Sequence, residues 1–275
     1  MISYPSDLLP QIEVLGESFE IPVLGKHRRI AVMLPHDYHE QPERRYPVLY
    51  LQDGQNLYED SAPFGTWAVH KRLALLAAHG FGDVIVVAID HAEAYRIQEF
   101  SPFQHPELGK GEGDQYVQFI SEELKPQIDS HYRTLPEREH TGIGGSSMGG
   151  LISLHAGLQR ADLYSKLMIF SPSLWISTKV YEAAEAFCPE APTRVYLYAG
   201  ARESRDLLPS VRRLHASFCK GAEQSDSLLT VELAIHPEGN HSEYFWGEAF
   251  PHALHWLFFA EKDAGEDAGE DAEKD

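Results

Sequence analysis

The chain is predicted to fold as an α/β domain with a mostly parallel central sheet and helices on both of its faces. Short β-branched runs alternate with longer helical patterns. Several of those runs are apolar throughout, as strands covered on both faces must be. No Pro-, Gly- or Ser-rich linker interrupts the series, so residues 1–260 read as one domain.

The first strand expected is Arg28–Pro35, RRIAVMLP, stopped by its proline. Tyr46–Gly54, YPVLYLQDG, is an apolar run that ends in a polar turn with glycine, and Asp83–Asp90, DVIVVAID, is a strand buried on both faces. EHTGIGG is a weaker strand signal; KLMIFSPS (Lys166–Ser173), RVYLYAG (Arg194–Gly200) and LLTVELAI (Leu228–Ile235) complete the set. Between them, TWAVHKRLALLAAHG reads as a helix with Thr66 as N-cap and Gly80 past its end. GDQYVQFISEELKPQIDSHYR reads as a helix capped by Asp114, with Pro126 kinking or interrupting it. MGGLISLHAGLQR reads as a helix after a glycine-rich stretch. SEYFWGEAFPHALHWLFFA reads as the last helix, with Pro251 bending it or falling in its turn. The segment His91–Asp114 is long for a connector and is expected to overhang a site.

The formal net charge of −19 repels phosphate backbones, which excludes a nucleic-acid partner. Residues 261–275, EKDAGEDAGEDAEKD, hold eight acids and two lysines and read as a disordered acidic tail. The two cysteines, Cys188 and Cys219, are too few for a disulfide framework and point to a reducing compartment. The N-terminus carries no secretory pattern, and no window reaches the ~18 apolar residues of a membrane helix. The expectation is a cytoplasmic protein with no membrane partner.

GIGGSSMGGL, Gly142–Leu151, places five glycines around two adjacent serines. A dinucleotide fingerprint would need glycine at position 147, where serine stands. Read as G-x-S-x-G, the stretch is Gly145–Ser146–Ser147–Met148–Gly149, between a strand and a helix, as a nucleophile elbow requires. A plain glycine-rich turn is the alternative. Ser147 needs a base, and in α/β-hydrolases the chain order is Ser, then Asp or Glu, then His. His241, in HPEGNHSEYFW after the last strand, is the candidate base, with His236 its competitor. Glu203 is the candidate acid and Asp206 its competitor, the latter better placed as a helix cap. The acid's role is to fix the imidazole tautomer and stabilise imidazolium. The N–H groups of Met148 and Gln55 are the candidate oxyanion donors. Asp53 is a candidate substrate contact or a tie for its own turn. His252 with His255, and His36 with His39, lack a third ligand, so no metal is expected.

YPVLYLQDGQNLY, EELKPQIDSHYRT, GIGGSSMGGLISL, FSPSLW and GNHSEYFW, in that order, resemble the esterase branch of the α/β-hydrolases. That branch includes siderophore, feruloyl and acetyl-xylan esterases, esterase D and mycolyltransferases. The resemblance spans about Arg28 to Phe259 and implies an α/β-hydrolase fold, with Ser147 as nucleophile, His241 as base and Glu203 as acid. Trp175 falls where the siderophore branch often has paired tryptophans, but Ile176 follows it; a pocket-lining role and ordinary packing stay open. Arg96 and Glu99 resemble a structural Arg/Glu pair of the family. The implied reaction is hydrolysis of a small or medium ester through an acyl-enzyme, without cofactor. The alternatives are acyl transfer from the same intermediate and a non-catalytic binding module on the same scaffold.

Overall fold

The computed structural model describes residues 4–107, 109–225 and 228–260. The acidic tail expected at 261–275 lies outside them. Eight strands form one sheet: β1 (Gln11–Ile21), β2 (Lys26–Leu34), β3 (Val48–Gln52), β4 (Ile85–Ile89), β5 (Thr141–Ser146), β6 (Lys166–Phe170), β7 (Thr193–Gly200) and β8 (Leu229–His236). Their order is β1-β2-β4-β3-β5-β6-β7-β8. The first two pairings, β1 with β2 and β2 with β4, are antiparallel, and β3 onward is parallel. The helices are α1 (Gln55–Tyr58), α2 (Val69–Ala77), α3 (Arg96–Glu99), α4 (Gly113–Phe119), α5 (Lys125–His131), α6 (Met148–Gln159), α7 (Lys179–Ala186), α8 (Leu207–Ser225) and α9 (Glu243–Phe258). This mostly parallel sheet with helices is the α/β-hydrolase architecture.

Two cores cover the sheet, one per face, because side chains alternate along each strand. Val48 and Tyr50 of β3, with Leu167 and Ile169 of β6, pack in the core shared with α4 to α8. Leu49, Leu51, Met168 and Phe170 point the other way, into the core built with α2 and α9. The fully apolar strands therefore serve both faces at once, as their composition requires.

Sequence and structure part at a few elements. β1 is not legible in the sequence because its register shifts around Gly16, which breaks the two-residue alternation, and Ile12 and Val14 are exposed. Thr66 does not cap α2. That helix begins at Val69 after Ala68 in a left-handed conformation, and Thr66 Oγ1 accepts the Ala68 N–H at 3.0 Å. Asp114 is not a cap either; α4 starts one residue earlier, and Asp114 instead meets His155 Nε2 at 2.8 Å. Pro126 sits behind a π-helical turn, Ile120–Leu124, whose wider ring absorbs the missing N–H and joins α4 to α5. Pro251 lies inside α9, not in a turn. Both cysteines are free, Cys188 at the surface.

Arg96 and Glu99 do not form a pair with each other. Glu99 is fully buried and binds Arg28 and, at 2.9 Å, Lys26, tying α3 to β2. Arg28 is itself 7% exposed. Glu99→Ala would leave this guanidinium buried without its partner, so urea unfolding is expected to lose about 3 kcal/mol of stability; a loss under ~1 kcal/mol would show the pair to be solvated.

Candidate active site

The order of strands creates the site. From β3 the chain crosses to β4 on one side, and β5 returns on the other, so the loops after β3 and β5 diverge at their carboxyl ends. At the end of β5, Ser147 takes φ +56° and ψ −121°, a strained conformation for a residue with a side chain. Its N–H bonds Phe170 O at 3.0 Å, and its carbonyl accepts the N–H groups of Leu151 and Ser173, each at 3.0 Å. A Cβ at Gly145 would lie 2.8 Å from the carbonyl carbon of Gly149, and one at Gly149 would lie 2.6 Å from Asp53 Oδ2. Those two glycines let strand, turn and helix close this tightly.

The turn aims Ser147 Oγ at His241, whose Nε2 is 3.1 Å away across 94 residues of chain. The Nδ1 of His241 meets Glu203 Oε2 at 2.6 Å. The Glu203 side chain is fully buried, while that of His241 is 42% exposed, so the acid is walled in and the base faces the solvent side. Glu203 is reached because the loop after β8 lies on the turn after β7: Ala201 N–H bonds His236 O at 2.9 Å, and Arg202 N–H bonds Gly239 O at 2.8 Å. Of the two competitors, Asp206 is exposed at the head of α8, and His236 takes the Glu238 N–H and packs on Phe245.

Residues that the sequence reading did not single out hold the acid. Glu203 Oε1 accepts the Gly200 N–H and the Ser171 hydroxyl, both at 2.6 Å. Ser171 Oγ in turn accepts the Trp246 indole N–H at 3.0 Å. Indole can only donate, so the single hydroxyl hydrogen of Ser171 is directed at Glu203. The Trp246 ring also stands edge-on to the His241 ring, with centroids 4.8 Å apart. Ser173 Oγ lies 3.2 Å from Ser147 Oγ. FSPSLW and the Trp five positions past His241 were the available signals, but composition does not distinguish them from core.

The Met148 N–H opens α6, where no intrahelical acceptor exists, and the Gln55 N–H opens α1 in the same way. Neither bonds another group among the described residues. The Gln55 side chain is occupied elsewhere, clamping the His91 backbone through Nε2 to O at 3.1 Å and Oε1 to N at 2.9 Å. Asp53 is not a free substrate contact. Its carboxylate takes both Arg96 Nε (2.6 Å) and Nη2 (2.7 Å), which ties the β3 turn to α3. Trp175 lies outside the cleft. It is 62% exposed and edge-on to His105, because its neighbours Leu174 and Ile176 take the buried positions of that turn.

A cleft of about 830 Å³ opens on Ser147 and His241, with rims at 59–64 and 91–97. Phe64 and Ile97 supply exposed apolar surface at its mouth, and Glu243, Asn56 and Trp246 line it near His241. The expected loop His91–Asp114 thus overhangs the site through its first turns. Burial lowers the His91 pKa and raises that of Glu243, Asp53 adding to the latter. His252 bonds Tyr196 and His255 packs on Phe81, and no group of three or more metal-ligating side chains occurs among the described residues. Nor is any helix among them long and apolar enough to cross a membrane.

Comparisons with known proteins agree with this architecture. The uncharacterized protein YbbA of Bacillus subtilis is 24% identical over 84% of this chain and 93% of its own length. The ferri-bacillibactin esterase BesA of the same organism is 26% identical over 73% of this chain and 82% of its own. The crystal structure of the BES protein from Bacillus cereus superposes with a TM-score of 0.74 at 21% identity, covering 94% of this chain and 98% of that one. The profile of the family described as Putative esterase matches residues 21–257. The chain belongs to that esterase family and is a carboxylic ester hydrolase.

Proposed function

We propose that the protein hydrolyses small or medium carboxylic esters through an acyl-enzyme on Ser147. The observation that carries the reading is the continuous line Glu203–His241–Ser147, with contacts of 2.6 and 3.1 Å. Ser147 Oγ attacks the ester carbonyl while His241 Nε2 takes its proton, and Glu203 holds the opposite ring nitrogen and balances the imidazolium. The N–H groups of Met148 and Gln55 receive the oxyanion, helped by the positive end of α6. The leaving alcohol takes the proton from His241, and water repeats the path to release the acid. No metal or cofactor enters these steps.

The first test is p-nitrophenyl ester hydrolysis with active-site labelling by a fluorophosphonate. Ser147→Ala is expected to lose about a million-fold in turnover, the scale of nucleophile removal, and all labelling; equal turnover would end the reading. Glu203→Gln is expected to lose about ten thousand-fold, since a neutral partner favours the wrong tautomer. Asp206→Asn is expected to leave the rate unchanged, and the opposite ranking would transfer the acid role to Asp206.

Ser171→Ala removes a donor from Glu203, making the carboxylate a stronger base toward the imidazolium. The acid limb of kcat/KM should then move to higher pH, with kcat down about tenfold. Trp246→Phe keeps the ring and loses the N–H, so it should move the limb in the same direction. A lowered melting temperature with an unmoved pH profile would make both residues packing only.

A further inference from the structure

Glu243 is a buried carboxyl in the cleft that the ester chemistry above leaves unused. It is 8% exposed, opens α9, and lines the cleft two residues after His241. Among the described residues its one side-chain hydrogen-bond partner is Asn56, whose Nδ2 donates to Oε1 at 3.3 Å. Its own backbone N–H also favours the charged form, and Arg96, Asp53 and His241 act on it through space.

Two of the other acids of the cleft are paired within the protein. Asp53 is neutralised by Arg96 and Glu59 by Arg29. Among the described residues, neither Glu93 nor Glu243 forms an ion pair, so the cleft carries uncompensated negative charge. A carboxylate removed from water to this degree, with a long bond from Asn56 and its own backbone N–H but no ion pair among the described residues, is incompletely compensated. A cationic donor in the cleft would complete it.

The position also selects the part of the substrate involved. The leaving alcohol takes its proton from His241, so it must depart past the imidazole. Glu243 stands two residues from that imidazole on the same segment and reaches across to Asn56. We propose that Glu243 binds a protonated amine carried by the alcohol half of the ester, which makes the enzyme selective for amino-alcohol esters. This rests on the Ser147 reading above.

The test compares 2-(dimethylamino)ethyl acetate with its uncharged isostere, 3-methylbutyl acetate, and 2-hydroxyethyl acetate with propyl acetate. Each kcat/KM is divided by that ester's own hydroxide-catalysed rate, which removes intrinsic reactivity. The wild type is expected to favour the ammonium ester over its isostere by about tenfold or more, the scale of one charge-assisted hydrogen bond. In Glu243→Gln that ratio should fall to about one, and any general loss of rate cancels within it. Glu243→Ala provides the same readout if the Gln variant does not fold. A wild-type ratio near one, a ratio unchanged in the variants, or a preference confined to the hydroxyethyl ester would each overturn the assignment. Fluorophosphonate labelling separates the two failures. A wild type labelled at Ser147 without the preference sinks only the role of Glu243, whereas an unlabelled wild type sinks the triad.

Discussion

The left-handed turn at Ser147 is the constraint on which the rest of the site depends. A serine at φ +56° costs on the order of 1–3 kcal/mol, and it persists only where its surroundings over-determine it. Here they do so from three directions. The N–H is held by β6 through Phe170, the carbonyl is held by Leu151 and Ser173, and the glycines at 145 and 149 let the helix close on the strand. Relaxing the turn would swing Oγ away from His241 and would also displace the Met148 N–H. The positions of the Ser147 hydroxyl and the Met148 N–H are thus one backbone property.

Glu203 is fixed by a second, independent set of bonds. Glu203 sits on a turn after β7 and is fully buried, and three donors (Gly200, Ser171 and His241) share its two oxygens. Burying a carboxylate is costly unless hydrogen bonds replace its water, and this set supplies them. Ser171 has φ +43°, so strain recurs one strand over from Ser147, where β6 ends beside β5. Trp246 links the support of Glu203 to the ring of His241, and α9 therefore contributes to the geometry of the site as well as to the core.

Glu203 and Glu243, two carboxylates near His241, have opposite surroundings. Glu203 is saturated with donors, whereas Glu243 has one weak partner and a raised pKa from burial. The same residue type therefore serves as a fixed support in one place and as an unsatisfied acceptor in the other. The difference comes from what packs around each: Glu203 is walled in behind His241, whereas Glu243 lines the cleft. Asp53, a third acid at this edge, is neutralised by Arg96 and holds the loop that carries Gln55.

By itself the sequence determined the alternation of strands and helices, the two-faced burial of the apolar runs, and the identity of the elbow at Gly145–Gly149. These are local properties, set by side-chain period and by the space that glycine leaves. It also offered Ser147, Glu203 and His241 in that order along the chain. Only the tertiary structure decided that Glu203 and His241, not Asp206 and His236, stand beside Ser147, because that contact spans 94 residues and depends on how the loops after β7 and β8 bond to each other. The structure also turned Trp175 out of the cleft, paired Arg96 with Asp53 instead of leaving it near Glu99, and brought Ser171, Trp246 and Glu243 to the site. None of these has a sequence signature, since a hydrogen bond between distant side chains leaves no periodicity in the chain and appears only when the strands have taken their order.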